Sequence, residues 1–75
     1  MDLDLETLVR GRHPSTQHFA PLFAYAHLPE RLQEVSRPIY ALACDMVDRL
    51  PDGIELSAGL RKLLEAKDCF VRAAL

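Results

Sequence analysis

IYALACDMVDRLPDGIELSAGLRKLLEAKDCFVRAAL, residues 39 to 75, decides the fold. Pro51-Asp52-Gly53 divides it into two apolar-periodic runs. Pro51 cannot continue a helix, and Gly53 permits positive φ. Upstream, Leu32, Val35, Ile39, Leu42, Met46, Val47 and Leu50 recur at three- and four-residue steps. Downstream, the stripe is Leu56, Leu60, Leu63, Leu64, Phe70, Val71 and Ala74. Two antiparallel helices, about 30 to 50 and 54 to 74, follow from this spacing.

Working outward, Leu28-Pro29-Glu30 is a turn that opens the first long helix, with Pro29 at its first position. The stripe crosses Pro38 in register. That favours one helix kinked near Pro38 over a break with a new helix capped by Ser36. In residues 15 to 27, Ser15 is a candidate cap, and Phe19, Leu22, Phe23 and Ala26 share a face. Pro21 is tolerable only near the start of such a helix. Gly11 to Ser15 read as a linker. Residues 1 to 12 are either a short helix using Leu3, Leu5, Leu8 and Val9 and ended by Gly11, or a frayed tail. The organisation is thus residues 1–14 as tail or short helix with linker, and 15–75 as the hairpin domain.

Size and composition bound the rest. Seventy-five residues make one domain at most. Such a chain buries only about 60% of its unfolded surface. Apolar residues are 49% of the sequence, more than one hairpin can hide, which favours self-association. The net charge of −2 gives no general attraction to nucleic acid. No run of 18 apolar residues suggests a membrane span, and the acidic MDLDLETLVR start does not resemble an export signal. Across a hairpin, Cys44 and Cys69 would lie on the order of 12 Å apart, too far to bridge. Both read as buried thiols in a reducing compartment.

Chemistry-bearing patterns are sparse. His13, His18 and His27 have no i,i+4 spacing, and no CxxC pair occurs, so no metal site is expected. Ser15, Ser36 and Ser57 read as caps or helix-surface residues, and no glycine-rich phosphate loop is present. The expectation is a protein that is not an enzyme and uses no cofactor. A DNA-binding regulator remains an alternative because of Arg61, Lys62, Lys67 and Arg72, although Glu65 and Asp68 offset that charge. Lys67 interrupts the last apolar stripe. Either its stem packs while the ammonium reaches solvent, or it lines a ligand pocket or pairs with an acid across an interface. Arg37 lies beside Pro38, where the aromatic segment must fold back. Phe23, Tyr25 and Tyr40 could offer flat faces to a base, and Arg37, Lys62 or Lys67 could meet phosphates.

One resemblance gives this a function. Phe23-Ala24-Tyr25-Ala26-His27, Arg37, Ala41-Leu42-Ala43, Pro51-Asp52, Glu55 with Ser57, Leu60-Arg61-Lys62-Leu63-Leu64-Glu65-Ala66 and Ala73-Ala74 together resemble the hairpin domain of phage anti-CBASS sponges. That domain is shared with one class of anti-Thoeris sponges. The likeness covers residues 23 to 75. It departs where Tyr-Ala-His stands for Tyr-His, and where Cys69-Phe70-Val71-Arg72 replaces the family's Trp-Ala-Asn.

The resemblance implies an all-α helical hairpin with a short N-terminal arm, assembled as a homo-oligomer, a hexamer built as a trimer of dimers. It implies sequestration of cyclic di- or trinucleotide immune messengers, released unaltered, in the cytoplasm of an infected bacterial host. Tyr25 or Phe23 would stack on a base, and Arg37 would contact base or phosphate. His27 would shape the loop, and Arg61 and Lys62 would meet phosphates. No duplex nucleic acid or membrane is an expected partner. The rival reading is a small helical adaptor that acts through protein–protein contacts.

Overall fold

A computed structural model describes residues 4–75. It is built of helices and turns, with α1 at Leu5–Leu8, α2 at Pro14–Gln17, a single 3₁₀ turn at Pro21–Phe23, α3 at Glu30–Arg49 and α4 at Ile54–Ala73. The two long helices pack against each other, and the N-terminal elements fold onto them. The hairpin and the short N-terminal helical arm therefore follow the sequence reading, although Leu3 lies outside the described residues. No described helix is long and apolar enough to cross a membrane.

Local chemistry explains the element ends. Asp4 caps α1, its Oδ1 accepting from the Thr7 N–H at 2.8 Å. Gly11 holds φ +80°, a left-handed value that a side chain would strain, and turns the chain out of α1. The cap of α2 is His13 rather than the expected Ser15: Ser15 N–H donates to His13 Nδ1 at 3.0 Å, and Pro14 takes the first helical position. The anticipated helix over 15–27 is split in two. Pro21 starts a separate 3₁₀ turn, which buries Phe19 and Phe23 while Leu22 and Ala26 face out.

α3 runs through Pro38 without interruption, and Ser36 lies inside it, so the break with a Ser36 cap does not occur. Pro38 removes one i→i−4 bond, yet burial of Leu32, Ala43 and Val47 on a single face holds the helix together. The hydroxyl of Ser36 is fully buried and has no hydrogen-bond partner among the described residues. Gly53 at the hairpin turn adopts φ 162° and ψ 174°, an extended conformation, so the turn does not use positive φ there. Leu50 is likewise extended, as the residue before a proline should be.

Among the described residues, one buried cluster joins the arm to the hairpin. Leu5 and Val9 of the arm, Phe19, Ala20 and Phe23 of the middle segment, Ala43 and Val47 of α3, and Leu56 and Leu60 of α4 form a single buried cluster. Leu42, Leu50 and Phe70, all on the predicted stripes, remain exposed together with Ile54 and Leu75. Cys69 is also exposed, a correction to its reading as a buried thiol; Cys44 is half-buried, and both are free. Two positions after the inward-facing Lys67, Cys69 falls on the outer face of α4.

Pro51 creates the contact that ties arm to hairpin. It has no N–H, so the carbonyl of Val47, four residues earlier, loses its helical partner. Arg12 supplies the replacement. Its Nη1 donates to Val47 O at 2.8 Å, its Nη2 to Leu50 O at 2.7 Å, and its Nε to Asp52 Oδ1 at 3.1 Å. Asp52 also accepts from the Thr16 hydroxyl at 2.6 Å and the His13 N–H at 3.0 Å.

The Thr16 hydroxyl, the His13 N–H and Arg12 together hold the Asp52 carboxyl below its ordinary value of 3.8. Its contribution to stability is complete above the unfolded-state value and is lost as pH falls through the lower, folded-state value. Asp52→Asn is therefore expected to be less stable than the parent at neutral pH, with the gap closing below 3.8. Thermal melts over a pH series check this; a gap independent of pH would contradict it.

Candidate functional site

A groove of about 810 Å³ opens between the arm, the segment after the 3₁₀ turn, and α3. Tyr25, Arg37 and Tyr40 lie together in its wall. Arg37 sits over the Tyr25 ring, with its guanidinium carbon 5.5 Å from the centroid, a cation–π arrangement. Tyr40 meets Tyr25 edge-on, with centroids 5.2 Å apart. Helical spacing explains the convergence. Arg37 and Tyr40 are three apart on α3, so they share a face, and Tyr25 is brought over that face by the returning loop.

That loop is held from both sides by side chains whose donors meet its carbonyls. Lys67 is only 8% exposed, and its ammonium donates to Leu22 O at 2.9 Å and to Ala24 O at 3.5 Å. On the other side, Gln33 Nε2 donates to Leu28 O at 2.8 Å and to Ala26 O at 3.3 Å. Within the loop, the Leu28 N–H donates to Tyr25 O at 3.0 Å. Lys67 thus packs its stem in the apolar stripe and turns its ammonium to the loop carbonyls. Within the protomer it pairs with no acid among the described residues. It satisfies carbonyls left open by the short 3₁₀ turn.

The groove also has an acidic lining. Asp4, Asp45 and Asp48 line it with Leu8, Ala41 and Cys44. Asp45 is bonded to Arg49 at 2.8 Å, which raises the pKa of that arginine. Asp4 is engaged in its cap; the Thr7 hydrogen bonds hold its carboxyl below 3.8. Burial pushes up the Tyr40 phenol, which also accepts from the Leu5 N–H at 2.8 Å. Burial likewise raises the Cys44 thiol, so neither group is ionised at neutral pH.

The other expected site residues lie elsewhere. Phe23 is fully buried in the core, so its ring face is closed to a base, and Tyr25 is left as the accessible aromatic. His27 is exposed and lies outside the groove lining. Arg61 lines a second depression with His13, Ser15, Asp52, Ile54 and Ser57, at the hairpin turn. Lys62 is exposed and lines neither. Among the described residues no group of three or more His, Cys, Asp or Glu side chains is placed to hold a metal ion. Arg12, Gln33 and the acidic wall were not singled out from sequence. Lys67 alone gave a signal, a charge inside an apolar stripe.

Comparison with known protein families, with curated proteins and with solved structures finds no match.

Lys67→Met keeps the length of the stem and removes both carbonyl contacts. Leaving a buried carbonyl unpartnered costs ~1–3 kcal/mol. Amide exchange at Leu28, which reports on the Tyr25 segment, is expected to accelerate roughly 5- to 150-fold, with α3 and α4 unaffected. Unchanged exchange would show that Lys67 does not hold the loop.

Proposed function

We propose that this chain is a non-catalytic binding protein that sequesters cyclic di- or trinucleotide immune messengers and so lowers their free concentration during phage infection. One observation carries the reading: Arg37, Tyr25 and Tyr40 form a cation–aromatic cluster opening onto a groove of about 810 Å³. Sites for small ligands fall in the range of about 300–1,000 Å³. A flat base and a neighbouring phosphate need an aromatic face and a planar cation held side by side. The resemblance of residues 23 to 75 to anti-CBASS sponges supplies the ligand class. Sequestration needs no turnover, because protein well above Kd holds nearly every ligand molecule.

The charge layout favours assembly. A single copy of the groove sets one guanidinium against three carboxylates, and Arg61 and Lys62 of the same protomer lie outside it. In this proposal the phosphates lie beside Arg37, and a neighbouring copy supplies further cations. The exposed Leu42, Leu50, Ile54, Phe70 and Leu75 offer apolar surface for such copies. A homo-oligomer, a hexamer as trimer of dimers, is the expected form, acting in the cytoplasm of the infected host. The same apolar residues would also suit an adaptor that binds another protein, and that reading leaves Arg37 without a role.

Calorimetric titration against a panel of cyclic di- and trinucleotides separates the two. The sponge reading expects sub-micromolar binding of at least one ligand, recovered chemically unchanged. It also expects a loss of at least about 100-fold in Arg37→Ala and in Tyr25→Ala, with the mass in solution preserved. Full binding in both variants would remove the assignment of the site. No binding by the parent would favour the adaptor.

A further inference from the structure

The N-terminal arm is bonded to the same groove that holds Tyr25 and Arg37, although the resemblance begins only after it. Asp4 and Leu8 contribute directly to the groove wall. The Tyr40 hydroxyl accepts from the Leu5 N–H at 2.8 Å, while the Tyr40 ring contacts Tyr25 at 5.2 Å. One side chain therefore touches both the arm and the proposed base-stacking ring. At its other end the arm is held by Arg12, which donates to the Val47 and Leu50 carbonyls and to Asp52. Between these two polar attachments Leu5 and Val9 enter the shared core.

We infer that residues 4–12 form a docking wall of the binding groove, with Tyr40 as the positioning residue that couples arm docking to ligand affinity. The inference rests on the ligand reading given above. Its physical content is a linkage. If the ligand favours the docked arm by some factor, releasing the arm lowers ligand affinity by that same factor. Arg12 makes the linkage visible, because it lines no part of the groove and its bonds tie the arm to the end of α3 and the hairpin turn.

The test uses the full-length chain and the cyclic nucleotide that binds the parent best. Amide exchange is read at Leu8 and Val9, whose N–H groups donate to Asp4 O and Leu5 O within the arm. Saturating ligand is expected to slow that exchange in the parent by about tenfold. Arg12→Gln and Tyr40→Phe are expected to speed it and to weaken binding by about the same factor, with exchange in α3 and α4 unchanged. Arg12→Lys, which restores the charge, should recover part of both effects.

Faster arm exchange in Arg12→Gln with parental affinity would overturn the inference and leave the sponge reading standing. Ligand that leaves Leu8 and Val9 exchange unaltered would do the same. If Arg12→Gln fails to fold, Arg12→Lys decides by the same comparison, because Arg12 lines no part of the groove. A parent that binds no cyclic nucleotide would remove both readings.

Discussion

A proline that ends a helix leaves a carbonyl without a partner, and in this chain the cure comes from far away in sequence. Pro51 stops α3 and strips Val47 O of its bond; Arg12 reaches across to fill it, then meets Leu50 O and Asp52. Because the donor sits in the arm and the acceptors in the hairpin, helix termination and arm docking become one event. The buried cluster is consistent with this, since Leu5 and Val9 pack in the same core as Val47 and Leu60. A short chain buries a modest share of its surface, so a core that spans arm and hairpin together matters more here than in a larger domain.

The same device recurs. Arg31 donates to Ala74 O at 3.1 Å at the end of α4, and Lys67 serves the carbonyls of Leu22 and Ala24. Arg49 is bonded to Asp45. Of nine basic side chains, three are thus occupied with backbone carbonyls and a fourth with a carboxylate. That narrows the cations available to an anionic ligand. Arg37 stands out because it faces an aromatic ring at a groove and remains exposed. Arg61 and Lys62 are exposed too, yet they sit away from it. The proposed binding role and the proposed assembly are linked here: one protomer concentrates the aromatic faces and a single guanidinium, and other copies would have to complete the charge.

The hairpin was legible because its signals are local: two stripes at helical period, a Pro-Asp-Gly break, and lengths near twenty residues. Continuity through Pro38 was legible for the same reason, since the stripe kept its register. The segment from 15 to 27 was less so. Phe19 and Phe23 suit one helix, but Pro21 resets the backbone, and whether a short run continues or turns is settled by tertiary burial. Burial also decided Phe23 against Tyr25 as the accessible ring, because two aromatics two positions apart look equivalent in sequence. Lys67 announced itself as an anomaly, but its partners are carbonyls, which every residue carries and no pattern marks. Arg12 and Gln33 gave no signal for that same reason. The pairing of Tyr25 with Arg37 and Tyr40 was anticipated only as a neighbourhood, from the fold-back at Pro38.

In the proposed binding mode, ligand enters the groove at Tyr25 and Arg37. The most direct test is a nuclear magnetic resonance titration of the isotopically labelled chain with the cyclic nucleotide it binds best. Saturable shifts are expected, centred on Tyr25, Arg37 and Tyr40 and carried into the arm at Leu5 and Leu8, with the buried Phe23 and the second depression around Arg61 little changed. Shifts centred instead on His13, Ile54 and Arg61, or no saturable shift across the panel, would contradict it.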